Sequence, residues 1–347
     1  MKVNNRRKQV LSVLIMLIVI TSLSACKQGN NKQQNNKNQD TTKLTKIEKL
    51  NQDIKQFPDN DSLFHQRSKY HLASGNINKA LSDINKAIDL GGEQSKYLIT
   101  LSDIYFAMPQ PRKTEQTLQA VLIENPDHVE ALFKLAQFYF YQKDYNKAFG
   151  FLNRALENAP NDHRIYFLSG LINKDRNEME KAERDFHRAT ELNQQFYEAW
   201  IQLGLLAAKE EDSIAVNYYQ NALDVRPESE EALYNIGIFY QEQGNIQKAI
   251  RTYNQLLDVN PENEKAYYNL GYIHLTMTQN YTKAEQYFRQ ALDVNPSNIN
   301  TVYNLGVSLE QQQEYEEARK LYQETLEMQQ NYKLGIQGMN RLDRKMQ

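Results

Sequence analysis

From residue 44 onward the chain repeats itself about every 34 residues, and no other feature narrows its fold as much. The tetrapeptide YNIG or YNLG occurs at Tyr234–Gly237, Tyr268–Gly271 and Tyr303–Gly306, at intervals of 34 and 35 residues. Pro126, Pro160, Pro227, Pro261 and Pro296 keep the same register. Twelve residues before each proline stands a small residue: Thr114, Ala148, Ala215, Ala249 or Ala284. Self-similarity at this period marks an array in which each unit is too small to bury its own apolar face and does so against its neighbours. Apolar residues recur at helical spacing and strand signals are weak, so the unit is helical.

The unit resembles the tetratricopeptide repeat. That pattern has a large residue at position 4, aliphatic at 7, Gly or Ala at 8, aromatic at 11, Ala at 20, aromatic or Leu at 24, Ala at 27 and Pro at 32. Residues 129–162 fit it with Leu132, Leu135, Ala136, Tyr139, Ala148, Leu152, Ala155 and Pro160. Eight units follow from the register: 61–94, 95–128, 129–162, 163–196, 197–229, 230–263, 264–298 and 299–332. One is a residue short and one a residue long, and both changes are expected in the turn between paired helices. Two units depart from the pattern. The unit 95–128 has Pro109 and Pro111 in its turn, and 163–196 has Ser169 and Asn173 at positions 7 and 11 with Gln194 in place of proline. Residues 44–60 read as an N-terminal capping helix and 333–347 as a C-terminal one, as expected where an array must face water. The resemblance implies an all-α, right-handed superhelical solenoid with a concave groove.

Within this register YNLG supplies positions 5 to 8. Packing explains the aliphatic residue and the glycine; the tyrosine and asparagine are left over. In relatives of this repeat, first-helix positions 2, 5, 6, 9, 12 and 13 line the groove, and position-6 asparagines hold the backbone of an extended peptide. An amide suits that task because it offers both a donor and an acceptor. Position 6 of the last four units reads Gln202, Asn235, Asn269 and Asn304, with Tyr234, Tyr268 and Tyr303 beside the asparagines at position 5. These seven residues are the candidate peptide- or partner-binding set. The same asparagines also serve as ordinary repeat filler, able to cap or bridge neighbouring helices. The earlier units are more apolar, with His65, Ile99, Phe133 and Phe167 at position 5 and Phe106 and Phe140 at position 12. Of the position-2 residues Glu198, Glu231, Lys265 and Asn300, only Lys265 meets the need of a carboxylate clamp.

The N-terminus reads as an address. Residues 1–9 are basic, 10–23 are almost wholly apolar, and Leu23-Ser24-Ala25-Cys26 follows. A basic start, a short apolar run and small residues describe a secretory signal; the run falls short of the roughly 20 apolar residues of a membrane-spanning helix. Cys26 is the only cysteine, so no disulfide forms within the chain. The segment resembles the lipobox of bacterial lipoproteins, which implies cleavage after residue 25 and lipidation of Cys26. Multiple acyl chains anchor stably where a single one is marginal. Residues 26–43 are rich in Asn, Gln and Lys and read as a disordered tether, with a mean reach of roughly 20–25 Å. Lys27, not Asp, follows the cysteine; by the enterobacterial sorting rule that favours the outer membrane over the inner.

The chain's formal charge of −2 gives no case for nucleic acid. Residues 1–43 are basic, which leaves the repeat body acidic. The six histidines form no HExxH or i, i+4 pair, and no glycine-rich phosphate loop, GxSxG or CxxC occurs. No cofactor, metal or small-molecule substrate is expected, and no enzyme activity. Trp200 falls at the large core position 4. The reading is a membrane-anchored scaffold or adaptor in a bacterial cell envelope that binds partner proteins or extended peptides. The alternative is a periplasmic chaperone-like receptor for unfolded or exported polypeptides.

Overall fold

The computed structural model describes residues 45–346, which form eighteen α-helices and no strand among the described residues. The chain divides at Asn161 and Asp162 into two compact units. The first contains α1 (Lys46–Gln56), α2 (Asp61–Ala73), α3 (Ile77–Gly91), α4 (Ser95–Ala107), α5 (Pro111–Glu124), α6 (Val129–Tyr141) and α7 (Tyr145–Asn158). The second contains α8 (His163–Asp175), α9 (Met179–Leu192), α10 (Tyr197–Lys209), α11 (Ile214–Val225), α12 (Glu230–Glu242), α13 (Ile246–Val259), α14 (Glu264–Thr276), α15 (Tyr281–Val294), α16 (Ile299–Gln311), α17 (Tyr315–Met328) and α18 (Lys333–Lys345). In each unit the helices pack chiefly as consecutive antiparallel pairs, and the second helix of a pair then packs against the first helix of the next.

Local sequence sets the helix limits. Thr45 and Glu48 form a reciprocal capping box at the start of α1. Asp162, Ser229, Asn263 and Asn298 cap first helices of later pairs through their side chains. First helices end in a left-handed residue at position 15: Gly75, Lys143, Asn177, Glu211, Gly244 and Gln313 have φ between 58° and 73°. The next N–H then reaches back to the helix, as from Asp144 to the Tyr139 carbonyl at 2.9 Å and from Glu314 to that of Leu309 at 2.9 Å. This is the Schellman closure that satisfies a helix's last carbonyls. The 35-residue unit has a four-residue turn at 277–280, and in the 33-residue unit the second helix, α11, is cut to 12 residues.

Second helices end at an extended residue before the repeat proline, such as Asn125 and Asn260, because proline disfavours helical geometry in the residue before it. Asn193 takes the same conformation although Gln194 replaces the proline, so packing against the following pair is sufficient there.

The core is built where positions 8, 20, 24 and 27 meet. Ala148 and Ala155 are fully enclosed, as are Ala182, Ala189, Ala249, Ala284 and Ala291. In the second unit a ring at position 24 lies on the glycine at position 8. A Cβ on Gly170 would come 2.6 Å from Phe186, on Gly237 2.5 Å from Tyr253, and on Gly271 2.7 Å from Phe288. Only glycine admits these rings. Trp200 is only half-buried and spans the surface between Tyr218, 6.2 Å away, and the Gln194 carbonyl, to which its indole N–H donates at 2.8 Å. It thus packs at the rim of the α10–α11–α12 cluster around Tyr219 and Phe239.

The departures from the repeat pattern in α8 are connected to one another. Ser169 Oγ and Asn173 Nδ2 both donate to Asp185 Oδ2, at 2.6 and 2.7 Å. Burial raises the Asp185 carboxyl above its ordinary range, against the lowering by those two donors. The first pair of the first unit places charge at the same three positions: Arg67 donates to both oxygens of Asp83 at 2.7 Å, with His71 3.8 Å away. In these two hairpins positions 7, 11 and 23 are all polar and meet one another.

Candidate peptide-binding face

All seven candidate binding residues lie on first helices of the second unit. Gln202 is on α10, Tyr234 and Asn235 on α12, Tyr268 and Asn269 on α14, and Tyr303 and Asn304 on α16. Positions 2, 5, 9 and 12 share one helix face, and position 6 lies beside them. The four amides have different surroundings. Gln202 Oε1 accepts from Lys174 Nζ at 2.6 Å. Asn304 Nδ2 donates to the Tyr268 hydroxyl at 3.1 Å, tying position 6 of one hairpin to position 5 of the one before it. Asn235 is half-buried and makes no side-chain hydrogen bond among the described residues.

Asn269 is 7% exposed and its amide likewise has no hydrogen-bond partner among the described residues. The fully enclosed side-chain polar atoms without a partner there are His71 Nδ1, Tyr141 OH and Thr301 Oγ1, so the Asn269 amide still meets solvent. Its donors and acceptor are used by no group among the described residues and are served by solvent, which a ligand's own polar groups can replace.

The tyrosines form the rest of this face. Tyr234 lies 6.5 Å from Tyr253, with Lys265 Nζ 5.3 Å from its ring centroid. Tyr268 is stacked on Tyr272 at 6.4 Å and meets Phe288 at 5.9 Å. Burial lifts the Tyr268 hydroxyl above its ordinary range, so it stays protonated and able to donate. Tyr303 lies between Tyr322 at 5.6 Å and Tyr332 at 6.1 Å, and Tyr332 donates to Asn300 Oδ1 at 2.9 Å. Each ring therefore rests its edge or face on the core and leaves part of its surface to solvent.

The sequence reading of positions 5 and 6 missed the line at position 9. Leu171, Leu205, Ile238, Tyr272 and Val307 stand there, all apolar or aromatic and all partly exposed. The signal was available, since position 9 lies one turn beyond position 5 and reads without interruption in the same register. The face thus combines an apolar strip, a tyrosine row and an amide row.

Its far end is closed by charge. Glu310 of α16 has a side chain only 1% exposed. It accepts from Tyr322 OH at 2.6 Å, Arg341 Nη2 at 2.9 Å and Lys345 Nζ at 3.0 Å. Burial opposes the Glu310 carboxylate, but these donors outweigh it and hold its carboxyl below the usual range. Arg341 and Lys345 belong to α18, so the terminal helix is fixed to the last pair through one buried carboxylate.

No group of three His, Cys, Asp or Glu among the described residues is placed to hold a metal ion. No helix among the described residues is long and apolar enough to cross a membrane. Cys26 and the segment around it lie outside the described residues.

Comparison with known proteins agrees with the fold. Three tetratricopeptide-repeat family models match the chain: one at 236–299, another at 110–169 and 275–335, and a third at 163–196. Human Protein O-mannosyl-transferase TMTC1 is 28% identical over 161 residues, 45% of this chain and 18% of that protein. Anaphase-promoting complex subunit 3 of Schizosaccharomyces pombe is 25% identical over 166 residues, 48% of this chain and 25% of that protein. The chain therefore spans about a quarter or less of the length of these relatives. Among solved structures, Pseudomonas aeruginosa pilF aligns with a TM-score of 0.50 at 18% identity, covering 58% of this chain and 92% of that one. A chain of the APC/C hetero-tetramer Cut9-Hcn1 aligns with a TM-score of 0.52 at 18% identity, covering 75% of this chain and 51% of that one. At such identities the likeness concerns the fold.

Proposed function

Because this chain carries tetratricopeptide repeats, we propose that it is a non-catalytic scaffold that holds a partner protein through an extended segment lying along the first helices of its second unit. The observation that carries this reading is the unspent amide of Asn269, 7% exposed and flanked by Tyr268 and Tyr272. A peptide backbone offers the donor and acceptor that this amide lacks. Asn235, one hairpin earlier, presents the same group in a more open setting. Asn304 is committed to Tyr268 and Gln202 to Lys174, so these two act by fixing their neighbours. The tyrosines add contact area at low entropic cost, as they do at protein interfaces generally.

The proposal extends to location. Lipidation of Cys26 would fix the chain to an envelope membrane, the outer one by the sorting rule, with residues 26–43 as tether. Tethering raises the effective concentration for partners on the same membrane.

The test is affinity capture from solubilised envelope with the wild-type chain and an Asn235→Ala, Asn269→Ala variant, after circular dichroism has shown both equally helical. Loss of partners from the variant is the expected result. Identical captures would remove the amides from the binding site. Anchoring is tested separately by Cys26→Ser, which should release the chain from the membrane fraction.

A further inference from the structure

Resting on that reading, we infer that the bound segment carries acidic side chains where it meets α18, and that Arg341, Arg344 and Lys345 receive them. Two observations lead there. The first is the run of charge along the row of first helices, with α18 as a first helix beginning at Lys333. At the lining positions 2, 5, 6, 9, 12 and 13, α12 carries two acids, Glu231 and Glu242, and α14 carries Lys265 alone. At the same positions α16 carries Glu310, and α18 carries Arg341, Arg344 and Lys345. The row is therefore negative at α12 and positive at α18, although the repeat body as a whole is acidic. A row of this kind orients a segment that has acid at one end and fixes its register.

The second is how the three cations are used. They stand at i, i+3 and i+4, on one face of α18. Glu310 accepts from Arg341 Nη2 at 2.9 Å and from Lys345 Nζ at 3.0 Å, and its side chain is only 1% exposed. One enclosed carboxylate thus serves two cations, whose own side chains remain 34% and 42% exposed. Arg344 is exposed; its Nε donates to the Asn340 carbonyl at 3.1 Å, and it forms no ion pair among the described residues. The neighbouring Asp343 is taken by Arg319 Nη2 at 2.7 Å. Positive charge therefore remains in excess on this face.

Cations in a last turn also answer the negative end of the helix dipole. The other first helices place at most one basic residue there, whereas α18 places two, with Arg341 one turn earlier. Nor do the cations form a surface of their own. Arg341 holds position 9, in register with Tyr272 and Val307, and its Nη2 donates at 3.2 Å to the Tyr322 hydroxyl, which itself donates to Glu310. The cations end the row that the segment follows, so a carboxylate in that segment meets them. Guanidinium groups suit this task because their paired N–H donors match the two carboxylate oxygens.

The experiment is selection of a random dodecapeptide phage library on the full chain, followed by fluorescence anisotropy with the leading peptide, labelled and amidated at its C-terminus. We expect the selected peptides to gather Asp or Glu at one end and to lose that preference on Arg344→Glu. Replacing the acids of the peptide by Gln should weaken binding about tenfold, and Arg344→Gln about threefold. The two changes together should weaken it by less than the product of the two factors, and added salt should narrow the difference. Arg344 is exposed and outside the Glu310 ion pairs, so both variants should fold, and circular dichroism checks this. Selected peptides without acid, or acidic peptides indifferent to Arg344→Gln, would overturn the inference. The groove reading would then stand if the Asn235→Ala, Asn269→Ala variant loses the same peptides. Sedimentation with phosphatidylglycerol vesicles that Arg344→Glu abolishes, with peptide binding unchanged, would assign the cations to a lipid surface and overturn the inference as well. No enrichment of any peptide would remove the inference and the groove reading together.

Discussion

In the first unit position 8 is Ser68, Ser102 and Ala136, and position 24 is Ile84, Leu118 and Leu152. In the second unit position 8 is glycine in all five pairs, and position 24 is Phe186, Tyr219, Tyr253, Phe288 and Tyr322. Both solve one problem, the filling of a fixed gap between two helices at the density of a crystal. The first unit divides the volume between a small side chain and an aliphatic one. The second gives all of it to a ring and removes the Cβ opposite. The exchange also changes what the hairpin can attach. A tyrosine at position 24 brings a hydroxyl to position 12: Tyr253 donates to Gln241 at 3.1 Å and Tyr322 to Glu310 at 2.6 Å. Aliphatic residues offer no such link. The amide-and-tyrosine face therefore lies on the unit that carries hydroxyls at position 24, and the latch that holds α18 starts from one of them.

The comparison can be broken most sharply by truncation. Phe288→Ala should cost about 3–5 kcal/mol, because Gly271 opposite leaves no side chain to collapse into the cavity, while Leu152→Ala opposite Ala136 should cost less, about 2–4 kcal/mol. Urea denaturation of each variant measures this. Equal losses would mean that position 8 does not govern relaxation.

A smaller effect comes from exchanging position 8. Gly271→Ala should destabilise by about 1–3 kcal/mol through overpacking against Phe288, although alanine is the better helix former. Ala136→Gly should cost about 1 kcal/mol. A double variant, Ala136→Gly with Leu152→Phe, should recover part of the sum of its single costs if volume is the shared variable.

The two units also differ at position 5 in their response to acid. His65 at position 5 of the first pair is held down to about 4, mainly by burial and then by Lys69 and Lys96, with Nε2 bonded to Thr100 Oγ1 at 2.8 Å. A histidine lowered on folding prefers to be neutral in the folded state. Its contribution is complete above pH 6.5 and is lost as the pH falls from 6.5 towards 4. The last three hairpins carry tyrosine at this position, which does not titrate in that window. Urea midpoints between pH 7 and 4.5 should fall less for His65→Gln than for the wild type, and a parallel fall would exclude His65 as a source.

The smallest expected effect is one that both units share. Lys143 and Gln313 stand at φ 60° and 66°, a region that disfavours side chains. Replacing either by glycine should change stability by no more than about 1 kcal/mol, in the favourable direction and equally in the two units. A difference in thermal midpoint between the two variants would show that the turn is coupled to its core.

Much of this was legible in the sequence. The period fixed the hairpins, because helix, turn and proline signals are local and recur in register: the residue before each proline cannot be helical, and small residues at 20 and 27 are what let helices touch. The glycine at position 8 and the ring at 24 could likewise be read as partners. The fates of the amides could not. Asn235, Asn269 and Asn304 share one motif and one position, yet one is half-open, one is nearly buried without a partner, and one is bonded to Tyr268. Ser169 and Asn173 looked like lapses in an apolar pattern until Asp185 was seen to accept from both. Residues 333–347 read as a cap facing water, whereas Arg341 and Lys345 turn inward to Glu310. Sequence determined which elements form and in what order, since that depends on backbone preferences over a few residues and on a repeating apolar register. Tertiary structure decided which polar groups are spent and which remain free, since a hydrogen bond between neighbouring hairpins depends on distances that thirty or so residues of intervening chain do not encode locally.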